Sequence, residues 1–242
     1  MKKALIIILL CLVAGYLIFA AIYFQDKPKE GICEGLEIVI ENSDKSFINI
    51  NEVENYIKAN HLDPTGKQFK DINTDSIQSK LIKIQTIKEA EVFVTNNNLI
   101  RINLYERKPI LRVFNGKGQS FYVDTEGQKM PIALKSSAHI PVASGHVSDS
   151  LACNELYRFA KFLKENEFWN AQIEQIVVEG NGEIMLIPRV GDQKIELGKL
   201  DGYEKKLDKL MTFYQKGLNE TGWNKYSVIN LKFDNQVVCK KR

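Results

Sequence analysis

The N-terminal end of the chain carries its longest hydrophobic run. Residues 4–24 make up 21 positions without a charged side chain, and Lys2 and Lys3 stand directly before them. A helix rises about 1.5 Å per residue, so such a run spans roughly the 30 Å hydrocarbon core of a bilayer. Because both lysines precede the run, the positive-inside rule predicts a cytoplasmic tail at residues 1–3 and the bulk of the chain across the membrane.

A cleaved signal peptide is the alternative interpretation of this run. Signal peptides have apolar cores of about 7–15 residues and end at a small-x-small cleavage site. Here the run is longer and closes with the bulky residues Tyr23 and Phe24. The pattern therefore favours a retained transmembrane helix over residues 4–24, followed by a polar tether over residues 25–35.

Between residues 36 and 108 the hydrophobic period changes from strand to helix and back to strand. Asn49 precedes the first helical stretch as a predicted N-cap, with Glu52 three residues later. Strand, helix, helix, strand and strand within about 70 residues make a small α+β unit, one sheet covered by a helix pair. The positions that carry this pattern are Leu36–Ile40, Val53 and Ile57, Ile77, Leu81 and Ile84, Ala90–Val94, and Leu99–Leu104.

A different pattern begins at Pro109 and predicts a second, larger domain over residues 109–242. Short period-2 runs between Gly-containing turns predict strands, and two longer segments have the apolar spacing of amphipathic helices. The fold class is therefore α+β: an N-terminal transmembrane helix, a small β-α-α-β-β domain, and a mixed β domain with an antiparallel sheet and two amphipathic helices. The predicted strands are Ile110–Phe114, Ser120–Val123, Gln128–Ile132, Ile173–Val178, Glu183–Ile187, Lys194–Leu197, Tyr226–Phe233 and Val237–Cys239.

Charge and cysteine content argue against two classes of protein. Without Lys2 and Lys3, the 33 basic residues fall to 31 against 30 acidic ones, so the exported part is almost neutral. Nucleic-acid binding needs a concentrated basic face, so no nucleic-acid partner is predicted. Of four cysteines, only Cys33, Cys153 and Cys239 follow the apolar run, too widely spaced for a disulfide framework.

The sequence offers no legible catalytic or metal-binding motif. His61, His139 and His146 lie in turn-like stretches, without the spacing of a local metal site. Ser144 lacks the Gly-x-Ser-x-Gly elbow that exposes a nucleophile. We therefore predict no catalytic residue, no metal, no cofactor and no small-molecule substrate.

The last long strand carries the most functional information. Its residues alternate between two faces, one apolar and one mainly polar. A terminal strand of this kind often lies at a sheet edge, where free N–H and C=O groups can accept a partner strand; the alternative is an ordinary edge strand ended by the polar tail. One face holds Ile229, Leu231 and Phe233, and the other holds Val228, Asn230, Lys232 and Asp234.

Five segments, in order along the chain, resemble motifs of the bacterial cell-division family FtsQ/DivIB. They are similar to its helix-to-strand passage, its "ERxP" exit from the POTRA domain, its "VDxxG" hairpin, its "lPvxxG" connection and its "DLRYD" closing strand. The closing strand departs from the family at Asn230, Lys232 and Phe233, and Phe233 lacks the hydroxyl that the family often carries. The segments are Leu81–Val92, Glu106–Pro109, Tyr122–Gly127, Ile140–Gly145 and Asn230–Asp234.

The resemblance implies a non-enzymatic scaffold with a POTRA domain at residues 36–108 and a β domain at residues 109–242. It implies that the final strand captures FtsB-like and FtsL-like coiled-coil proteins by strand addition, and that the POTRA domain contacts other division proteins at the inner membrane. Phe233 and Asn235 are expected near the centre of contact. The implied partner-binding residues are Ile229, Asn230, Leu231, Lys232, Phe233, Asp234, Asn235, Gln236 and Val237.

Two other classes of protein remain open from the sequence. One is a signal-anchored scaffold in envelope assembly or secretion that also carries a POTRA domain. A membrane barrel would need a long series of about ten-residue alternating strands, and the helical patterns after Pro109 do not fit one. The other class is an anchored cell-wall enzyme, which would need a nucleophile, an acid–base pair or a metal set.

Overall fold

The computed structural model describes residues 2–23, 30–41, 46–132 and 138–242, with side chains of the first helix described at residues 9–20. That helix, α1, is Lys2–Tyr23, and its large apolar side chains are exposed. Within the described part of the chain, no helix has the length and apolar character needed to cross a membrane. Met1, Phe24 and the tether residues 25–29 lie outside the described residues, so the transmembrane helix stays a prediction.

Residues 35–106 form a three-stranded sheet covered by two helices. The strand order is β1-β3-β2, with β1 parallel and β2 antiparallel to the central strand. The β-α-α-β-β order of the hydrophobic pattern is thus confirmed. The elements are β1 (Gly35–Glu41), α2 (Ile50–Ala59), a short 3-10 turn (Phe69–Asp71), α3 (Thr74–Leu81), β2 (Ile87–Val94) and β3 (Leu99–Glu106).

Side-chain caps start both helices of this unit. Asn49 accepts a hydrogen bond from the backbone N of Asn51 at 3.1 Å, as its predicted N-cap role requires, and Asn73 accepts one from Ser76 at 2.8 Å. The apolar stripes of the helices pack against the sheet in a separate core. That core includes Val53, Ile57, Ile77, Leu81, Ile87, Ala90, Ile100, Ile102 and Leu104.

Residues 109–241 form a nine-stranded sheet with helical crossovers. Its strand order is β12-β11-β10-β9-β8-β7-β4-β5-β6. Its strands are β4 (Pro109–Asn115), β5 (Ser120–Asp124), β6 (Lys129–Met130), β7 (Val142–Gly145), β8 (Ile173–Val178), β9 (Ile184–Pro188), β10 (Lys194–Gly198), β11 (Tyr226–Asn230) and β12 (Val238–Lys241). Its helices are α4 (Asp149–Leu151), a π-helical turn (Ala152–Leu156), α5 (Tyr157–Glu165), α6 (Glu167–Gln172), α7 (Tyr203–Thr212), a second π-helical turn (Phe213–Leu218) and α8 (Asn219–Thr221).

The large sheet is mixed, which corrects the predicted antiparallel sheet. β4 and β7, β7 and β8, and β10 and β11 pair in parallel, and the remaining neighbours pair antiparallel. Parallel neighbours require a crossover connection. The helices between β7 and β8, and those between β10 and β11, supply two such crossovers, and the hairpin β5–β6 lies between the third parallel pair, β4 and β7.

One buried row of side chains runs across seven strands of the large sheet. Successive register partners place these residues side by side, and all but the last are fully buried. The same core takes Leu156, Phe159, Leu163, Leu207 and Leu210 from the crossover helices. The core therefore extends to the last strand. In sheet order the row is Val113, Ala143, Ile176, Leu186, Ile195, Ile229 and Cys239.

A buried ion pair joins the two sheets at their junction. Arg107 Nη1 lies 2.7 Å from Asp124 Oδ2, and the Asp124 side chain is 2% exposed. The other oxygen of Asp124 accepts hydrogen bonds from the backbone N of Glu126 and Gln128, both at 2.8 Å. Lys88 of β2 adds a more exposed contact with Glu126 at 2.8 Å. These contacts hold the end of the first unit against the β5–β6 turn of the second.

The C-terminal edge as a candidate partner site

The strand predicted at the sheet edge is an internal strand. β11 pairs with β10 on one side and with β12 on the other, so the edge of the large sheet is β12. β11 also ends at Asn230 rather than at Phe233. There the Asn230 Oδ1 accepts a hydrogen bond from the backbone N of Lys232 at 2.9 Å, an Asx turn that ends the strand. The edge position expected for residues 226–233 is therefore wrong.

Glu196 of β10 fixes the start of the turn that follows β11. Its backbone O accepts a hydrogen bond from the backbone N of Leu231 at 2.9 Å, and its carboxylate accepts one from Asn230 Nδ2 at 2.5 Å. Lys232 Nζ lies 3.4 Å from the same carboxylate and 3.3 Å from that of Glu183. The hydrogen bond to Glu183, with the nearby charge of Glu196, raises the pKa of Lys232. The turn is thereby tied to two neighbouring strands.

Lys209 of α7 contacts the same turn from the helical side. Its ammonium donates to the backbone O of Leu231 at 3.2 Å, to that of Phe233, and to that of Asp234 at 3.5 Å. Burial lowers the pKa of Lys209, and the Asp234 carboxylate partly offsets this effect. One cation therefore lies among three carbonyl oxygens of the turn.

No strand within the described residues pairs with the outer side of β12. At the end of the strand, Arg242 donates its backbone N–H to the backbone O of Lys225, and the Ser227 hydroxyl donates to the backbone O of Lys240 at 3.2 Å and to that of Lys241 at 3.5 Å. Positions 240 and 242 thus point their polar backbone groups toward β11. Since these groups alternate along a strand, the N–H groups of Cys239 and Lys241 point toward the open edge.

The side chains of β12 also differ between its two faces. Cys239 faces the core beside Ile229, and burial raises the pKa of its thiol. Val238 is 42% exposed on the other face, and Lys240 and Lys241 are exposed. Arg242 Nη2 lies 3.3 Å from Asp192 Oδ2, which ties the end of the strand to the β9–β10 loop. The edge is short, anchored at both ends and rimmed by positive charge.

The predicted partner-binding residues fall into a buried group and an exposed group. Ile229 and Leu231 are fully buried, so their side chains support the sheet and cannot contact a partner. Asn230 and Val237 are half-buried, and Val237 packs against the core. The exposed residues form the turn between β11 and β12, with Phe233 48% exposed. They are Lys232, Phe233, Asp234, Asn235 and Gln236.

Sequence reasoning predicted a last strand at Val237–Cys239 but missed its position at the sheet edge and the groups that support the preceding turn. The prediction ended its last strand at Cys239, whereas β12 continues to Lys241. The pattern Val-Cys-Lys-Lys has little alternation, so it gave a weak strand signal. The roles of Lys209 and Glu196 depend on contacts 22 to 35 residues away along the chain, and no local motif signals them.

The described residues contain no cluster suited to metal-dependent chemistry. Within these ranges, no group of three or more His, Cys, Asp or Glu side chains could hold a metal ion. His139 lies against Arg189, and His146 lies near Gly180 in the β8–β9 loop region. The arrangement at the C-terminal edge consists of backbone donors and a positively charged rim, which suits protein binding by strand pairing.

The FtsQ/DivIB C-terminal-related family model matches residues 108–240, more than half of the chain, and a POTRA-like domain model matches residues 31–105. The chain belongs to the FtsQ/DivIB family. The cell division protein FtsQ of Rhodothermus marinus is 25% identical over 188 residues, which cover 73% of this chain and 68% of that protein. The family suggested by the five sequence motifs is confirmed, and so is a POTRA-like domain followed by a mixed α+β sheet domain.

Proposed function

We propose that this FtsQ/DivIB-family protein is a non-enzymatic, single-pass scaffold of the bacterial cell-division machinery. The family match over residues 108–240 carries the proposal. The uncharged run at residues 4–24 supports an anchor in the cytoplasmic membrane at the division site, with the N-terminus in the cytoplasm. The proposed order is a cytoplasmic tail (1–3), transmembrane helix (4–24), tether (25–35), POTRA domain (36–108) and partner-binding β domain (109–242).

The proposed partner site is the open edge of β12 together with the turn that precedes it. FtsB-like and FtsL-like coiled-coil proteins would add a strand beside β12, and the POTRA domain would contact other division proteins. The outward N–H groups of Cys239 and Lys241 support main-chain pairing, which supplies affinity irrespective of side chains. Exposed Phe233 and Val238 offer apolar contacts, and Lys240 and Lys241 favour an acidic partner segment.

Depletion and partner capture in cells test the scaffold role. A division scaffold predicts filamentous cells on depletion, whereas an anchored cell-wall enzyme predicts loss of a wall-processing product with normal septa. The full chain, tagged at its cytoplasmic N-terminus, is crosslinked in cells and its partners are identified by mass spectrometry. FtsB- and FtsL-like proteins should be captured by the full chain and lost from a chain truncated after Asn230. Capture of only outer-membrane or wall-processing proteins contradicts the division role.

A pair of substitutions at Lys241 isolates the backbone contribution to binding. Lys241→Pro removes one outward N–H, whereas Lys241→Ala removes the charge and keeps the N–H. An unpaired partner carbonyl costs about 1–3 kcal/mol, so Lys241→Pro should weaken binding of the full chain to the FtsB–FtsL-like pair at least about fivefold relative to Lys241→Ala. Equal affinity of the two variants would show that strand addition at β12 is not the mechanism.

Proline at Lys232, within the segment that the family resemblance implies for partner binding, tests a different feature. Lys232 donates its backbone N–H within the Asx turn rather than to a partner. Proline at that position therefore disrupts the turn and acts on β12 only indirectly. We expect Lys232→Pro to increase amide hydrogen exchange in residues 231–237, whereas Lys241→Pro leaves exchange in that turn unchanged.

A further inference from the structure

Backbone carbonyl groups of the turn between β11 and β12 converge on one side chain that belongs to another element. Lys209 lies on α7, and its ammonium donates to carbonyl oxygens of Leu231, Phe233 and Asp234. An ammonium has three donors and no acceptor, so one lysine can satisfy three carbonyls. These three contacts come from four consecutive residues, which the chain must curve around the cation to provide.

This contact restrains a segment that has few other restraints. Residues 232–236 are exposed and lie outside any strand or helix. Lys232 is tied by its own side chain to Glu183 and Glu196 at 3.3 and 3.4 Å. Within the described residues, Lys209 is the side chain that bonds the backbone carbonyls of Phe233 and Asp234, and residues 234–235 form a turn beside these contacts. The conformation of the central turn therefore depends on a residue that itself lies outside the open edge.

We infer that Lys209 is a positioning residue for partner capture: it orders the turn at residues 231–234 and thereby presents Phe233 beside the β12 edge. The inference rests on the proposed function. Ordering backbone residues on binding costs conformational entropy, so a turn that is already ordered in the free protein spares part of that cost. Lys209 contributes to affinity through this preorganisation and does not itself have to contact the partner.

The test compares three variants of the full chain in a mild detergent. Lys209→Met keeps an unbranched side chain of similar length but removes the ammonium, and Lys209→Arg keeps a cation with several N–H donors. Lys205→Met is the matched control, because Lys205 is exposed one helical turn earlier on α7. Affinity for the purified FtsB–FtsL-like pair and amide hydrogen exchange of residues 231–241 are measured for each variant.

Lys209→Met should weaken binding about tenfold (about 1.4 kcal/mol) and speed hydrogen exchange in residues 231–237, with exchange in β8 and β9 unchanged. Lys209→Arg should retain most of the affinity, and Lys205→Met should match the wild type. If Lys209→Met binds the pair with wild-type affinity while Lys241→Pro loses binding, only the positioning role of Lys209 is overturned. Equal binding of Lys241→Pro and Lys241→Ala overturns strand addition instead, so the two failures are distinguishable.

Discussion

The ion pair between Arg107 and Asp124 makes a sharp prediction about the junction of the two sheets. Arg107→Met keeps an unbranched side chain but removes the charge and the donors. The Asp124 carboxylate is 2% exposed and would lose the guanidinium that lies 2.7 Å from it in the wild type. Two backbone hydrogen bonds at 2.8 Å, from Glu126 and Gln128, would remain. The variant therefore leaves a buried carboxylate that is only partly solvated by the protein.

The size of the effect follows from what remains around Asp124. Removing one member of a buried ion pair destabilises a protein by about 3–5 kcal/mol. Because the two backbone donors persist, we expect the lower end, a loss of about 3 kcal/mol in the free energy of unfolding. Lys88→Met is the matched control, since the Lys88 and Glu126 side chains are 48% and 46% exposed. An exposed ion pair of this kind contributes less than about 1 kcal/mol to the free energy of unfolding, so Lys88→Met should have little effect.

Urea unfolding followed by tryptophan fluorescence measures this effect in the full chain in mild detergent. The chain has two tryptophans, Trp169 and Trp223, and both lie within residues 109–241, as Asp124 does. Asp124→Asn and the double variant complete a cycle, which should give a coupling energy of at least about 1 kcal/mol. A loss below about 1 kcal/mol for Arg107→Met, or an additive cycle, refutes the argument that this pair stabilises the junction.

Two further predictions use the same unfolding assay. A Cβ at Gly145, which has φ +90°, would lie 2.3 Å from the backbone O of Val178. Gly145→Ala should therefore lower the free energy of unfolding by about 3 kcal/mol or more. Gly182→Ala, at φ +78° with open space around the new Cβ, should lower it by about 1 kcal/mol from backbone strain alone. Similar losses for the two variants would contradict the clash at Gly145. Burial raises the pKa of Tyr214 to about 12, with the amides of Gln172 and Gln193 acting against the shift. Because an unfolded tyrosine ionises at about pH 10, the wild type should lose about 2 kcal/mol in the free energy of unfolding, relative to Tyr214→Phe, as the pH rises from 10 to 12. If the stabilities of the wild type and Tyr214→Phe change in parallel over that pH range, the raised pKa of Tyr214 is contradicted.

Local pattern predicted the elements of the first unit well because hydrophobic period and helix caps are features of neighbouring residues. Val53, Ile57, Ile77 and Leu81 recur at helical spacing, and all four are buried against the sheet. The Asn49 cap depends on a residue two positions away and is likewise found. Such features need only the period of the chain and the chemistry of its helix ends.

The neighbours of the last strands could not be predicted in the same way. Ile229 shows that β11 has a buried face, but nothing in its own pattern shows that β10 and β12 flank it. β12 has only four residues. From the sequence alone, Lys240 and Lys241 fit a solvated polar tail as well as they fit an edge strand. The turn between these strands is ordered by Lys209, more than 20 residues earlier. Edge position and turn geometry are therefore properties of the whole sheet.

Amide hydrogen exchange of the full chain, with and without the purified FtsB–FtsL-like pair, tests the central claim most directly. Strand addition predicts new protection of the Cys239 and Lys241 amides, which point to the open edge of β12, whereas the Lys240 amide faces β11 and should change little. Protection confined to other parts of the chain, with residues 238–241 unchanged on saturation with the pair, would contradict capture at this edge.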